Sequence, residues 1–374
     1  MNILIFLVIL LVLVIVHEFG HFFTAKRFGI RVDEFGFGFP PKLFGIKKGE
    51  TEYTFNLLPL GGFVKIFGEN SEAESEVRHE VGPDEDRKFY NKPKWKQATV
   101  LFAGVFANFL LAWLLFSFGL MSGLPTSVNS KLSSYALSDV QLTVISVAPE
   151  SPAEKAGLKS GDKIVYLNSG EDMLADANSG DINPDSVRSF VISHKDQEIE
   201  IGYFRGRPND MPSVKLTPVE NMDGQPAIGI AMDVIGIAKL PIFTAFLEGM
   251  KLTLFVTKGT MAGLYTLITD SIRGQGSFAS VTGPVGMVGI VGDAYKFGFA
   301  YLVSFTALIS VNLAIINLIP FPALDGGRLF FLLIEKIKGS RINPKIANTA
   351  NMVGFGILIL LMLVVTYHDV VKLF

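Results

Sequence analysis

Cysteine is absent from the 374 residues. That excludes a thiol nucleophile, a disulfide framework and any thiolate metal site, so a bound transition metal must be held by imidazole and carboxylate. Charge is scarce as well: Asp, Glu, Lys and Arg make up 18% of the chain and balance to a net −2. There is no basic stripe with interleaved aromatics, which excludes the electrostatic face that a nucleic-acid partner requires. The N-terminus lacks the positive leader of a secretory signal peptide. Met1 and Asn2 precede an apolar run that continues past His21, which reads as a retained first span.

What is present in quantity is apolar. Hydrophobic residues reach 49%, with a mean hydropathy of +0.41, well above an average soluble chain. Runs over 3–23, 98–121 and 352–367 are long enough to cross a bilayer, and a fourth covers 299–324. Basic residues cluster after the first run (Lys26, Arg27, Arg31), before the second (Lys92, Lys94, Lys96) and between the last two (Arg328, Lys336, Lys338, Arg341, Lys345). By the positive-inside rule these segments are cytoplasmic, so both termini and the central insert are expected outside.

The expected fold is a polytopic α-helical membrane protein of four transmembrane helices, with a membrane-associated β-hairpin and an inserted α+β domain. Its parts are a first span (1–34), a hairpin (35–67), a charged cytoplasmic linker (68–97), a second span (98–122) and an extracytoplasmic insert (123–235). A connector with an amphipathic helix on the outer surface (236–296), a third span (297–327), and a cytoplasmic loop with the fourth span (328–374) complete it. Glu248, Lys251 and Lys258 argue that the helix over 243–267 lies on the surface rather than across the bilayer. Within 35–67 the alternation of Tyr53-Thr54-Phe55-Asn56-Leu57 and Phe63-Val64-Lys65-Ile66 reads as two strands turning at Pro59-Leu60-Gly61-Gly62.

The chemistry is concentrated at His17-Glu18-Phe19-Gly20-His21, inside the first apolar run. Ionisable side chains are costly in such a place unless they have a function. Histidines four apart lie on one helix face and can share a Zn²⁺ ion, while the intervening glutamate reaches its water. A catalytic zinc takes three protein ligands and keeps one position open. Asp325 is the candidate third ligand. A first span entering from outside carries His17 about 14 residues in, or roughly 20 Å, and a descending third span brings Asn317 to similar depth. Pro320 and Pro322 then interrupt the helix just before Asp325, leaving irregular backbone of the kind tolerated beside a polar cavity.

Several segments together resemble the site-2 protease family, peptidase M50. They are the His17–His21 motif, Pro59-Leu60-Gly61-Gly62-Phe63-Val64-Lys65, Ala103-Gly104-Val105-Phe106-Ala107-Asn108-Phe109, Gly283-Pro284-Val285-Gly286, and 317–327. Leu142 to Val147, Pro149 to Leu158 and Gly161 to Asn168 resemble a PDZ domain with its groove helix at 184–193, so the chain is similar to bacterial members of the family with a single PDZ domain. The resemblance implies a zinc-dependent intramembrane endopeptidase of the bacterial cytoplasmic membrane that cuts pre-trimmed single-span membrane proteins, such as anti-sigma factors or signal-peptide remnants, in regulated intramembrane proteolysis. It implies one catalytic Zn²⁺ on His17, His21 and Asp325, Glu18 as general base, and substrate backbone held by Asn317. A strand edge including Gly61, Gly62 and Phe63 is expected to receive the unwound substrate, and the PDZ domain to receive polypeptide termini. The expected partners are therefore single-span substrates, peptide termini and the lipid bilayer.

Three other readings compete. A non-catalytic PDZ scaffold with a structural metal leaves Glu18 without a task. A zinc transporter suits intramembrane His and Asp but not a PDZ insert. Serine catalysis through Ser304 or Ser310 lacks a base at informative spacing.

Overall fold

The computed structural model describes residues 1–69, 84–130, 132, 135–175, 181–205, 211–221, 224–274, 282–296 and 298–371. Residues 70–83 of the expected charged linker lie outside them. In chain order the elements begin with helix α1 (Asn2–Arg27), strands β1 (Val32–Lys48) and β2 (Thr51–Ile66), and helix α2 (Lys94–Ser122). There follow β3 (Leu124–Ser127), β4 (Leu137–Val147), α3 (Pro152–Lys155), β5 (Lys163–Ser169), β6 (Asp172–Ala175), α4 (Pro184–Ser193), β7 (Ile199–Phe204) and β8 (Ser213–Leu216). The chain continues through β9 (Val219–Glu220), β10 (Pro226–Ala227), β11 (Ile230–Ala238), α5 (Ile242–Ile272), α6 (Pro284–Lys296), α7 (Phe299–Leu318), α8 (Asp325–Lys338) and α9 (Pro344–Val371). Among the described residues four helices are long and apolar enough to cross a membrane, α1, α2, α7 and α9, matching the four expected runs.

The chain divides into two compact units. The first comprises 1–117, 246–292 and 303–374, and the second 118–245 and 293–302.

In the first unit, α1 buries Ile9, Leu13, His17, His21 and Ala25, a stripe at four-residue spacing, while Phe19 and Phe23 on another face are exposed. The periodicity of the helix therefore turns both histidines inward. Small residues let α2 approach closely: a Cβ on Gly20 would stand 2.3 Å from the Ala103 carbonyl oxygen. Helix α7 stops at Leu318, where Pro320 and Pro322 forbid continuation. The chain restarts as α8 at Asp325 after Ala323, whose φ of 76° is strained for a residue with a side chain. Gly326 and Gly327 make that restart possible, because a Cβ there would meet the backbone oxygens of Leu318, Ile319 and Phe321 within 2.3 Å.

Two expectations need correction. The strands over 32–66 do not turn at Pro59-Leu60-Gly61-Gly62; the turn is Gly49-Glu50, with Gly49 at φ 66°. Residues 51–66 form one bent strand. Gly36 of β1 is paired with both Thr54 and Phe63, and Ile46 with Tyr53, so β1 and β2 fold back into a small sheet in which 34–37 is flanked on both sides. Among the described residues the segment 62–66 pairs only with β1, and its other edge carries no strand partner. The second correction concerns α5, which does not lie flat and apart. Leu252 and Val256 pack on Ala112, Phe116, Ala307 and Val311, Trp113 Nε1 donates to the Phe246 carbonyl at 2.8 Å, and Thr260 Oγ1 donates to Asn312 at 3.0 Å. Further along, Met261 and Ile268 face Phe102 and Leu318 across an apolar cavity of about 550 Å³. The helix thus runs lengthwise beside α2 and α7. Of its charges, Glu248 and Lys251 pair at 2.7 Å, one turn apart, which removes part of the reason for keeping the helix on a surface.

The second unit is a sheet in the order β3-β11-β4-β5-β7-β8, with β6 on β5 and a separate β9–β10 pair. Its core contains Leu142, Val144, Ile164, Leu167, Val187, Ile199 and Ile201, each fully or almost fully buried. Helix α4 is where the groove helix is expected, started by a reciprocal cap between Asn183 and Ser186. Inside this unit the carboxylate of Asp162, with no exposed side-chain surface, accepts from Arg205 Nε and Nη2 at 2.6 Å and from the Lys159 amide at 2.8 Å.

Candidate metal centre

Three expected ligands, 308 residues apart at the extremes, converge. His17 Nε2 lies 2.9 Å from Asp325 Oδ2, His21 Nε2 lies 3.2 Å from the same oxygen, and the two Nε2 atoms are 3.2 Å apart. Among the described residues this is the one group of three or more His, Asp or Glu side chains with the proximity to hold a metal ion. Ligand atoms around a tetrahedral zinc, bonded at about 2.0–2.1 Å, sit roughly 3.3 Å from one another. The observed triangle is within a few tenths of an ångström of that spacing. Two imidazoles and a carboxylate are also a donor set suited to zinc with one position left open. The residues present fit the ion.

Supporting groups hold the ligands. His21 Nδ1 is 2.8 Å from the Val100 carbonyl, which fixes its proton on Nδ1 and turns the Nε2 lone pair to the centre. His17 Nδ1 faces the amide of Asn108 at 3.3 Å. Val100, Gly104 and Asn108 follow one another at four-residue intervals on α2, so one stripe of that helix lines both imidazoles. Gly104 is indispensable to the approach: a Cβ there would stand 2.3 Å from His21 Nε2 and 2.9 Å from His17 Cε1. Ser310 Oγ donates to the Asn108 carbonyl at 2.8 Å, a structural task.

A cavity of about 510 Å³ opens beside the centre, lined by Glu18, His21 and Asp325 together with Phe63, Lys65 and Arg328. Its wall includes 63–66, the strand segment with the unpaired edge. Gly62 lies closer still, since a Cβ on it would be 3.7 Å from Glu18 Cγ. Gly61, at φ 145°, carries the bend that precedes it. Arg328 donates to Glu69, and that carboxylate's charge, with burial opposing and Asp325 and Glu18 adding to it, holds the guanidinium more firmly charged than usual. Asn317 sits half-buried in the last turn of α7, without a side-chain hydrogen bond among the described residues.

Gly104, Asn108 and the Glu69–Arg328 pair carried no role in the sequence reading. Asn108 left a usable signal there, being an amide in the middle of an apolar run.

A helix bearing His-Glu-x-x-His, completed by a distant aspartate and opening on a cavity beside a free strand edge, is the equipment of a zinc metallopeptidase. The chain belongs to peptidase family M50, whose profile matches residues 5–361. The zinc metalloprotease RasP of Geobacillus kaustophilus is 30% identical over 446 residues, covering 99% of this chain and 97% of its own. A candidate zinc metalloprotease of Clostridium perfringens is 34% identical over 360 residues, covering 96% of this chain and 95% of its own. A solved PDZ domain from Listeria monocytogenes covers 26% of this chain and 93% of its own length, with 25% identity and a TM-score of 0.20. The protein is a zinc-dependent metalloprotease with, among the described residues, four helices long and apolar enough to span a membrane.

Proposed function

We propose that this protease cleaves peptide bonds within the transmembrane segments of single-span proteins, with His17, His21 and Asp325 holding one zinc ion and Glu18 as general base. The observation that carries this is the position of the ligands: both histidines belong to the buried stripe of a helix long and apolar enough to cross a membrane. A peptidase whose substrates were soluble would have no reason to keep its centre there.

Bound zinc supplies Lewis acidity, lowering the pKa of water towards neutrality and polarising the scissile carbonyl. A carboxylate oxygen of Glu18 takes the proton from the attacking water and returns it to the leaving amine nitrogen. The two imidazoles stay oriented through Val100, Asn108 and the approach of α1 to α2 at Gly104.

A substrate helix has its amides bonded internally and must unwind to be cut. Residues 62–66 offer it replacement hydrogen bonds by strand addition, with Gly61 and Gly62 allowing close backbone approach and Phe63 facing the cavity. Asn317, with both a donor and an acceptor, is suited to the substrate backbone next to the cut. The inserted sheet with α4 acts as a PDZ domain that receives polypeptide termini. The protein resides in a bacterial cytoplasmic membrane with both termini and the insert outside, and acts on pre-trimmed substrates in regulated intramembrane proteolysis.

The test is to co-reconstitute the protein with a tagged single-span substrate lacking its outer domain and to map the new termini by mass spectrometry. Cleavage inside the apolar segment is expected. Cleavage confined to flanking polar sequence would refute the reading.

A further inference from the structure

The two imidazoles of the centre are fixed by partners of different kinds. The Val100 carbonyl can only accept, so His21 carries a proton on Nδ1. The Asn108 amide that faces His17 Nδ1 at 3.3 Å offers a donor at one end and an acceptor at the other, in nearly the same position. With Nδ2 towards the ring, His17 Nδ1 accepts, and Nε2 carries the proton that it donates to Asp325 Oδ2 at 2.9 Å. With the amide turned about its last torsion, Oδ1 accepts from Nδ1–H and the Nε2 lone pair is free for a metal.

Turning the amide sacrifices no other bond. Asn108 is fully buried, its Oδ1 has no partner, and His17 is the side-chain partner of Nδ2 among the described residues. Its backbone is meanwhile pinned by Ser310, so the change is confined to the amide. An asparagine serving only to join two helices would spend its oxygen as well as its nitrogen, because an unpartnered buried carbonyl is destabilising.

We propose that Asn108 is a positioning residue that sets the tautomer of His17, presenting Nδ2 to its Nδ1 in the metal-free centre and Oδ1 in the zinc-loaded centre. This rests on the reading of His17 as a zinc ligand. Metal loading then displaces the His17–Asp325 hydrogen bond and reverses the amide in one step, while His21 waits preset.

The full-length protein, purified in detergent with ¹⁵N-labelled histidine, tests the proposal. Its five histidines are few enough for long-range ¹⁵N–¹H spectra to report the tautomer of each. The wild type is expected to show His17 protonated at Nε2 without metal and at Nδ1 with zinc. Asn108→Asp, which can only accept, is expected to hold His17 at Nδ1–H in both states. Asn108→Leu, similar in size and without a polar atom, is expected to weaken zinc binding about 10- to 100-fold in chelator competition. His17 at Nδ1–H in the metal-free wild type, or wild-type zinc affinity in Asn108→Leu, overturns the proposal. The wild-type spectra decide the question even if a variant fails to fold. His17→Ala separates the two readings: undiminished zinc affinity in it overturns the ligand assignment itself.

Discussion

Gly104→Ala adds one methyl group at the most crowded point of the centre. The new Cβ would stand 2.3 Å from His21 Nε2, short by about 1 Å of the 3.4 Å at which ordinary contact begins. The ring cannot simply retreat, because its far nitrogen is bonded to the Val100 carbonyl at 2.8 Å. Either that bond lengthens beyond hydrogen-bonding range or α1 and α2 separate, and the Gly20 contact with Ala103 resists the second. Overpacking of this kind costs about 1–3 kcal/mol. Metal ligation tolerates displacements of only about 0.2 Å, so the strain falls on zinc binding. At about 1.4 kcal/mol per tenfold, zinc affinity is expected to drop roughly 5- to 150-fold, with cleavage falling in parallel at limiting zinc. Chelator competition on purified protein measures the first and a tagged substrate the second. Gly259→Ala is the control: the same methyl is added to a long helix where nothing lies within 4 Å, and zinc affinity should be unchanged. Wild-type zinc affinity in Gly104→Ala would refute the account of how the centre is packed.

Asp325→Asn keeps the shape of the third ligand and removes its charge; zinc affinity should fall by more than the ~100-fold typical of supporting residues, as read by metal content after dialysis. In the second unit, Arg205→Leu strands the buried Asp162 carboxylate and should lower stability by about 3 kcal/mol, seen as faster hydrogen exchange in β5 and β7. The double variant with Asp162→Leu should recover most of that loss. A substrate whose span is rebuilt from strong helix formers should be cut more slowly than one with helix-breaking residues, in a time course with matched tags; equal rates would count against unwinding onto 62–66.

Much of the centre was legible because its rules are local. The four-residue spacing of His17 and His21 fixes a shared helix face whatever the tertiary structure. Pro320 and Pro322 mark the end of α7 wherever it packs, and counting residues down the first and third spans predicted Asp325 near the histidines, where the three side chains do converge. The features with no signature in the sequence depend on partners distant along the chain. Pro59-Leu60-Gly61-Gly62 has the composition of a turn, yet two Gly-rich bends compete in this segment and Gly49-Glu50 closes the tighter one. Pairing of 34–37 with strand segments on both sides then keeps 51–66 extended. Charges on α5 suggested a surface helix, but the pairing of Glu248 with Lys251 and the reach of Thr260 to Asn312 belong to tertiary packing and have no periodic signature. Gly104 reads as an ordinary small residue until both imidazoles are seen against it.

The central claim is tested most directly by comparing wild type with Glu18→Gln on a single-span substrate lacking its outer domain, with bound zinc quantified in both preparations. Glutamine preserves size but cannot take a proton from water, so the variant should retain stoichiometric zinc and lose cleavage by orders of magnitude. Equal processing by the two proteins would contradict the assignment of Glu18 as the base.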